Sequence, residues 1–326
     1  IDKRRTEFRN TTFDLIPFLN GGLFDPNLHQ DFYELGPDGK TYHLNTLKVP
    51  DKWLKDFLIL LETYNFTIDE NTSIDIELSV DPEMLGRIFE NLLAEINPET
   101  GDTARKSTGS YYTPRAIVDY MVDESLTQYF LAKTDIDEKV IGDLLNYYKE
   151  DTELTTEQKI CIIDAIDDLK ILDPACGSGA FPMGILQKLL LILQKVDPDS
   201  IEWVVRQLDR IPNKLVRDTL EEKLMSENWR YKHKMGIVQN ALYGVDVQPI
   251  ATEISKLRLF LTLIVDETID DEKINRNIHP LPNLSFKFVV ANALIDLNLS
   301  EEKMIGDWTL ADLYENCIKK MQKIRE

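Results

Sequence analysis

Apolar residues in the first third of the chain recur at the spacing of an α-helix. One helical face carries the large apolar residues between Asp51 and Tyr64, and a second helix of this kind is predicted to begin at Asp81-Pro82. Two short runs, Phe32–Leu35 and Thr41–Leu44, flank a proline–glycine turn and predict a β-hairpin. We therefore predict a mostly helical N-terminal region over residues 1–105.

The pattern changes further along the chain, where short apolar strands alternate with helices. Three strands are predicted, at Ile171–Asp173, Ala241–Asp246 and Asn283–Val290. Strands that are separated by helices are typical of a parallel α/β sheet. The alternation predicts an α/β domain over residues 106–326.

Helices are predicted around these strands, including acidic helices over Lys133–Lys170. A helix from Pro114 to Leu131 precedes the first strand, and the segments Gly184–Val196, Pro249–Asp266 and Leu310–Ile324 follow the first, second and third strands. Residues 197–240 also have helical spacing. We interpret them as a helical insertion between the first strand–helix unit and the second strand.

Composition excludes several classes of protein. The 326 residues are 43% hydrophobic, as expected of a chain with a core, and no apolar run approaches the roughly 20 residues of a membrane span. Three scattered cysteines predict neither disulfides nor a metal site, and the four histidines show no ligand spacing. From the sequence we expect no signal peptide. We expect a cytoplasmic protein without a membrane partner.

The segment from Ile171 to Phe181 is the main candidate for a binding site. Its sequence, Ile-Leu-Asp-Pro-Ala-Cys-Gly-Ser-Gly-Ala-Phe, predicts a strand end, a tight turn and a helix start. Gly177 and Gly179 would let the backbone approach a ligand, and the helix start offers N–H groups. A plain strand-to-helix turn is the alternative interpretation.

The residues of this loop distinguish between cofactors. The Gly-Lys-Ser/Thr of an ATP-binding loop is absent, and Pro182 stands where a dinucleotide fingerprint has its third glycine. Asp173 would repel a pyrophosphate and attract an ammonium group. S-adenosylmethionine has an amino-acid end and no phosphate, so it fits this loop better than NAD or ATP.

A second acid ends the next predicted strand. A carboxylate at the end of a strand can accept hydrogen bonds from both ribose hydroxyls, and Asp246 occupies this position. Val247 follows and could pack against the face of an adenine. The alternative is a buried strand that ends in an ordinary surface acid.

The glycine loop and two further strings resemble motifs of one enzyme family. Asp-Pro-Ala-Cys-Gly-Ser-Gly-Ala-Phe resembles motif I of the DNA methyltransferases that modify adenine N6, especially the single-chain type IIG restriction–modification enzymes and related phage-defence methyltransferases. Gly-Ser-Tyr-Tyr-Thr-Pro, which ends at Pro114, resembles motif X, and Val-Val-Ala-Asn-Ala-Leu, which contains Asn292, resembles motif III. These motifs occur in the order of the family, with Asp246 in motif II.

This resemblance implies a Rossmann-like sheet that binds S-adenosylmethionine. Thr113 would hold the methionine carboxylate and Asn292 the adenine edge, although Thr113 also suits a helix N-cap with Pro114 at N1, and Asn292 suits a strand-closing turn. The implied cofactor contacts are Tyr112, Thr113, Asp173, Ala175, Cys176, Gly177, Gly179, Phe181, Asp246, Val247, Asn292 and Ala293.

The resemblance further implies methylation of adenine N6 in double-stranded DNA. The family's catalytic Asn-Pro-Pro-Tyr motif does not occur in the sequence, and the net charge of −20 is unexpected for a DNA-binding surface. The chain starts at Ile1. We expect a piece of a longer protein that is inactive alone, with a target-recognition domain C-terminal to it. A methyltransferase acting on RNA or protein, or a non-catalytic cofactor-binding module, remains the alternative.

Overall fold

The computed structural model describes a little over half of the chain. These residues are 33–35, 41–43, 49–63, 113–149, 153–209, 214, 217, 229–267, 269–272, 274–278 and 281–295. The helices predicted at Asp81-Pro82 and at Leu310–Ile324 lie outside them, as does Tyr112.

The predicted hairpin and the first predicted helix are both present. Strands β1, Tyr33–Leu35, and β2, Thr41–His43, pair antiparallel with Tyr33 opposite His43. Helix α1 extends over Asp51–Glu62. The large apolar residues Trp53 to Leu60 of this helix are exposed, and Trp53 has the largest exposed fraction of them, 73%.

Three strands of the described chain form one parallel sheet, as predicted. Strands β3, Ile171–Asp173, β4, Leu242–Asp246, and β5, Phe288–Val290, lie in the order β3-β4-β5. In this register Asp173 is opposite Gly244, and Asp246 is opposite Val290. The sheet and the helices around it agree with an α/β fold.

Two of the predicted strands were too long. Residues 283–287 are not part of β5, because the Leu284 carbonyl accepts the N–H groups of both Lys287 and Phe288 and so forms a turn. Strand β4 begins at Leu242, since the N–H of Ala241 still donates to Ile237 in the preceding helix.

The helices of the described α/β region have these bounds: α2, Arg115–Lys133; α3, Glu138–Leu145; α4, Thr156–Asp168; α5, Ala180–Val196; α6, Ile201–Asp209; α7, Trp229–Asn240; and α8, Pro249–Ile264. Helices α6 and α7 lie at the two ends of the helical segment predicted over 197–240.

Two predicted helix starts are corrected. Pro114 is the N-cap of α2 rather than its first helical residue, because it is extended (ψ 141°) and its carbonyl accepts the first helical bonds. Thr113 is therefore not the N-cap. Helix α5 begins at Ala180, four residues earlier than predicted, because a proline in the first turn interrupts no helical hydrogen bond.

Helix α5 is the centre of the core. It contacts α2, α3, α4, α7 and β4, and its fully buried side chains are Leu186, Leu189, Ile192 and Leu193. The buried Lys188 on the same helix donates to the Leu145 carbonyl at 2.9 Å and pairs with Asp123. Helix α8 covers the sheet by packing on β4, β5 and α7.

A histidine is buried between two tryptophans beside this core. The His233 ring contacts Trp203 and Trp229 edge to face, and neither ring nitrogen has a hydrogen-bond partner among the described residues. Burial, assisted by the charge of Lys232, lowers the pKa of His233 from 6.5 to about 3. The imidazole is therefore neutral in the folded protein at every pH above that value.

We expect His233 to destabilise the fold in mild acid. Between pH 6.5 and pH 3 the unfolded imidazole binds a proton that the folded one does not, so stability falls as the pH falls. At pH 5 this difference amounts to about 2 kcal/mol. His233→Phe keeps the edge-to-face packing and should remove this loss. Denaturant unfolding of both proteins at pH 8 and pH 5 tests this. The prediction is contradicted if the free energy of unfolding changes between pH 8 and pH 5 by the same amount in His233→Phe as in the wild type.

Candidate functional site

The glycine loop, residues 173–180, runs from the end of β3 to the start of α5. The N–H of Cys176 donates to the Val245 carbonyl at 2.9 Å, so the loop continues the contact between β3 and β4 beyond the sheet. The N–H of Gly179 donates back to the Cys176 carbonyl at 2.8 Å and closes a tight turn. The loop is thus part of the carboxyl edge of the sheet.

Both loop glycines adopt conformations that other residues avoid. Gly177 has φ +52° and Gly179 has φ +86°, in the left-handed region. A Cβ on Gly179 would lie 2.9 Å from Ser255 Oγ, whereas a Cβ on Gly177 would meet no heavy atom of the described chain within 4 Å. Gly179 is therefore packed on α8, and Gly177 borders open space where a ligand could approach.

A third glycine, which sequence reasoning missed, makes room for the loop. A Cβ on Gly244 would lie 2.6 Å from the Phe288 ring and 2.9 Å from Cys176 Sγ. Gly244 therefore lets the loop and β5 approach β4 from opposite sides. The only sequence signal was a glycine inside a strand, which often marks a close approach of backbone.

Two side chains of α8 hold the loop from the side of the core. Ser255 Oγ donates to the Gly177 carbonyl at 2.8 Å, and Arg258 Nη1 donates to the Ser178 carbonyl at 2.8 Å. Both side chains are buried. The sequence analysis predicted α8 but gave neither residue a role.

Asp246, the predicted ribose ligand, bonds to the same loop. Its Oδ2 accepts the N–H of Gly177 at 2.9 Å, and its Oδ1 accepts the N–H of Gln248 at 2.8 Å. An ionised carboxylate has about four lone-pair positions. Each oxygen can therefore accept one further hydrogen bond from a ligand.

Asp173, the predicted ammonium ligand, has one satisfied and one unsatisfied oxygen. Oδ1 accepts the N–H of Ala175 at 3.1 Å, whereas the buried Oδ2 has no hydrogen-bond partner in the described part of the chain. Burial raises the pKa of Asp173, and the negative charge of Asp246 raises it further, against the bond from Ala175 that lowers it. A cation that reached Oδ2 would relieve this cost.

The thiol of Cys176 lies between these two acids. Burial, followed by the charges of Asp173 and Asp246, raises the pKa of Cys176 to about 12. The side chain is therefore a neutral thiol at physiological pH, and nucleophilic chemistry, which needs the thiolate, is excluded for it.

Asn292 and Ala293 follow β5 at the same edge of the sheet. The N–H of Ala291 donates to the Asp246 carbonyl at 2.9 Å, so residues 291–293 leave β5 beside Asp246. Asn292 Oδ1 accepts the N–H of Leu294 at 3.0 Å, which is the strand-closing turn given above as its alternative role. Ala175, Val247, Asn292 and Ala293 are exposed, and Phe181 is half-buried.

The start of α2 lies beside the start of α5. A Cβ on Gly184 would be 2.8 Å from Val118 Cγ1, which places the second turn of α5 against the first turn of α2. Thr113 lies just ahead of α2. Its predicted contact with the cofactor remains a prediction.

An apolar groove of about 410 Å³ lies between α2 and β3 and reaches the loop. Its walls include Met121 and Tyr129 from α2, Leu172 from β3, and Asp173 and Phe181 from the loop region.

The described residues contain no cluster of three side chains able to hold a metal ion. None of the described helices is long and apolar enough to cross a membrane.

The chain is similar along most of its length to another known protein. No family model matches the chain. The chain is 30% identical over 316 residues to a protein of Methanocaldococcus jannaschii that is named as a predicted type II restriction enzyme and methyltransferase. The match covers 92% of this chain and 23% of the relative, so the chain spans about a quarter of the relative's length.

Proposed function

We propose that this chain is the S-adenosylmethionine-binding part of a DNA adenine-N6 methyltransferase of a type IIG restriction–modification or phage-defence system. One observation carries the proposal. Asp173 Oδ2, which has no hydrogen-bond partner among the described residues, lies at the start of a glycine loop that has open space at Gly177, and the Gly177 N–H of that loop donates to the carboxylate of Asp246. The relative's name and the order of the sequence motifs support the reaction and the substrate.

The loop side of the site fits the amino-acid end of the cofactor. An ammonium group would supply the charge and the donors that Asp173 Oδ2 lacks among the described residues. Gly177 leaves the space that such a group needs. A phosphate would instead meet two carboxylates, so the electrostatics of this site disfavour a nucleotide phosphate.

The β4 side of the site fits a nucleoside. The two oxygens of Asp246 would accept the two ribose hydroxyls, and the exposed Val247 would offer an apolar surface to the adenine ring. Asn292 Oδ1 already accepts the N–H of Leu294, so its Nδ2 group is better suited to donate to a ring nitrogen.

The chain's residues would then position a reacting group rather than transfer protons. When bound, S-adenosylmethionine supplies an activated methyl group on a sulfonium, which needs no metal. Asp173, Asp246 and the glycine loop would fix its orientation toward an incoming base. With a net charge of −20, this chain is poorly suited to contact phosphates, so we assign most DNA contacts to other parts of the full-length protein.

Asp246→Ala should weaken the binding of S-adenosylmethionine by about 1.5–3 kcal/mol, the range for hydrogen bonds to a charged group. Calorimetric titration of the wild type and the variant measures this. Asp197→Ala is the matched control, because the Asp197 carboxylate also accepts two backbone N–H groups, from Glu202 and Trp203, at the start of α6. Equal affinities of the wild type and Asp246→Ala would remove Asp246 from the site.

Asp173→Asn should stabilise the ligand-free protein while weakening cofactor binding about tenfold or more. The folded carboxyl has a raised pKa, so above its usual value of 3.8 the folded state loses stability as the pH rises through that raised pKa. Asparagine does not titrate and avoids this loss. Melting temperatures at pH 5 and pH 8 and a titration with S-adenosylmethionine test both effects. A variant that melts lower at pH 8 and binds as well as the wild type would contradict this role.

The proposed reaction is tested on the full-length protein that contains this chain. It is incubated with tritiated S-adenosylmethionine and separately with mixed-sequence DNA, RNA and a protein substrate mixture. We expect label in DNA, recovered as N6-methyladenine, and less label at sub-saturating cofactor when Asp246 is replaced by alanine. Label confined to RNA or protein, or label in no substrate although the cofactor binds, would overturn the proposed function.

A further inference from the structure

We propose that Ser255 and Arg258 are positioning residues that hold the glycine loop in the shape that binds the cofactor. This inference rests on the proposed function of the loop. Neither side chain needs to contact S-adenosylmethionine, because each acts on the backbone of the loop from the side of α8.

The two side chains bind consecutive peptide groups. Ser255 and Arg258 are three residues apart and therefore lie on the same face of α8. Their donors reach the carbonyls of Gly177 and Ser178 at 2.8 Å each. Their exposed fractions are 1% and 3%, so water does not compete effectively for these two carbonyls.

Fixing the carbonyls fixes the orientation of the loop. In a trans peptide the C=O and the following N–H point in opposite directions. The Gly177 and Ser178 carbonyls are directed at α8. The N–H groups on the other side of these two peptides, those of Ser178 and Gly179, therefore face away from the helix. This arrangement also maintains the left-handed conformation of Gly177 beside the open space.

The same segment of chain connects the two halves of the proposed site. Asp246 ends β4 and accepts the N–H of Gly177, and α8 begins three residues later and carries Ser255 and Arg258. The loop beside Asp173 and the carboxylate of Asp246 are thus held to one rigid unit. Loosening the bond from Arg258 should change the relative position of the ammonium and ribose partners.

The chemistry of the position also indicates a specific role. Burying a guanidinium is costly, and an apolar side chain would fill the space under the loop at lower cost. Arg258 is nevertheless 3% exposed. Its hydrogen bond to the Ser178 carbonyl gives a physical reason for a charged residue here, because that carbonyl is buried under the loop and needs a donor.

The test compares three variants with one matched control. Arg258→Met removes the donor, Arg258→Lys retains a charged donor, and Ser255→Ala removes the second bond without added bulk. Lys188→Met is the control, because Lys188 is also a buried cation that donates to a backbone carbonyl, that of Leu145. The affinity for S-adenosylmethionine is titrated at a temperature where all the proteins are folded, and the melting temperature is measured without ligand.

We expect Arg258→Met and Ser255→Ala to bind about tenfold more weakly, the effect of losing one hydrogen bond of this kind. Arg258→Lys should recover part of the affinity. Lys188→Met should melt at a lower temperature and bind like the wild type. Amide hydrogen exchange at Gly177 and Gly179 should accelerate in Arg258→Met and Ser255→Ala, but not in the control.

The outcomes separate this inference from the proposed function. Wild-type affinity in both Arg258→Met and Ser255→Ala would overturn the positioning role, as would equal losses of affinity in Arg258→Met and Lys188→Met. If Arg258→Met does not fold, Ser255→Ala decides alone. A wild type that binds no S-adenosylmethionine would overturn the proposed function, and the exchange rates would still show whether α8 orders the loop.

Discussion

The hydrogen bond from the Gly177 N–H to Asp246 Oδ2 is the interaction on which the candidate site depends. It joins two positions 69 residues apart and connects the loop after β3 to the end of β4. The parallel pairing of β3 with β4 brings these ends together, and Gly244 allows the loop to lie against β4. With the bond in place, one carboxylate orders the backbone of the loop and still offers lone pairs to a ligand. The geometry of the sheet therefore sets the geometry of the site.

The charges of the site work against the stability of the ligand-free fold. The negative charge of Asp246 raises the pKa of Asp173, and the charges of both acids raise the pKa of Cys176. The buried Oδ2 of Asp173 receives no donor from the described chain. Proteins commonly accept such a cost where function needs it, and a cationic ligand removes the cost on binding. The lack of a donor to Asp173 Oδ2 among the described residues is thus a physical argument for a cation as its partner.

Local patterns predicted most of the fold but few of the contacts that shape the site. The three strands, the glycine loop and the acid at the end of β4 follow from apolar runs, turn residues and the position of acids at strand ends. The contacts of Ser255 and Arg258 with the loop do not follow from such patterns, because their partners are 78 and 80 residues away in the sequence. A signal was nevertheless present: the polar residues Thr252, Ser255, Arg258 and Thr262 recur at helical spacing, on a face of α8 that the structure shows to be buried. The late start of the third strand was missed for a similar reason, since the turn at Leu284 depends on backbone bonds that apolar residues do not reveal.

The packing of α2 on α5 also depends on a glycine, and it brings the start of α2 close to the glycine loop. A glycine inside a helix costs about 1 kcal/mol relative to alanine. Gly184 incurs this cost in the second turn of α5, and Val118 of α2 occupies the space that its side chain would fill. The N-terminal ends of the two helices are consequently held near each other, with the first turn of α2 against the second turn of α5. Because the start of a helix has unbonded N–H groups and a positive dipole end, this arrangement favours a negatively charged group there, opposite the carboxylate of Asp173. An amino acid carries both charges on neighbouring atoms, so this pairing of helix starts with a buried acid suits the methionine end of the proposed cofactor.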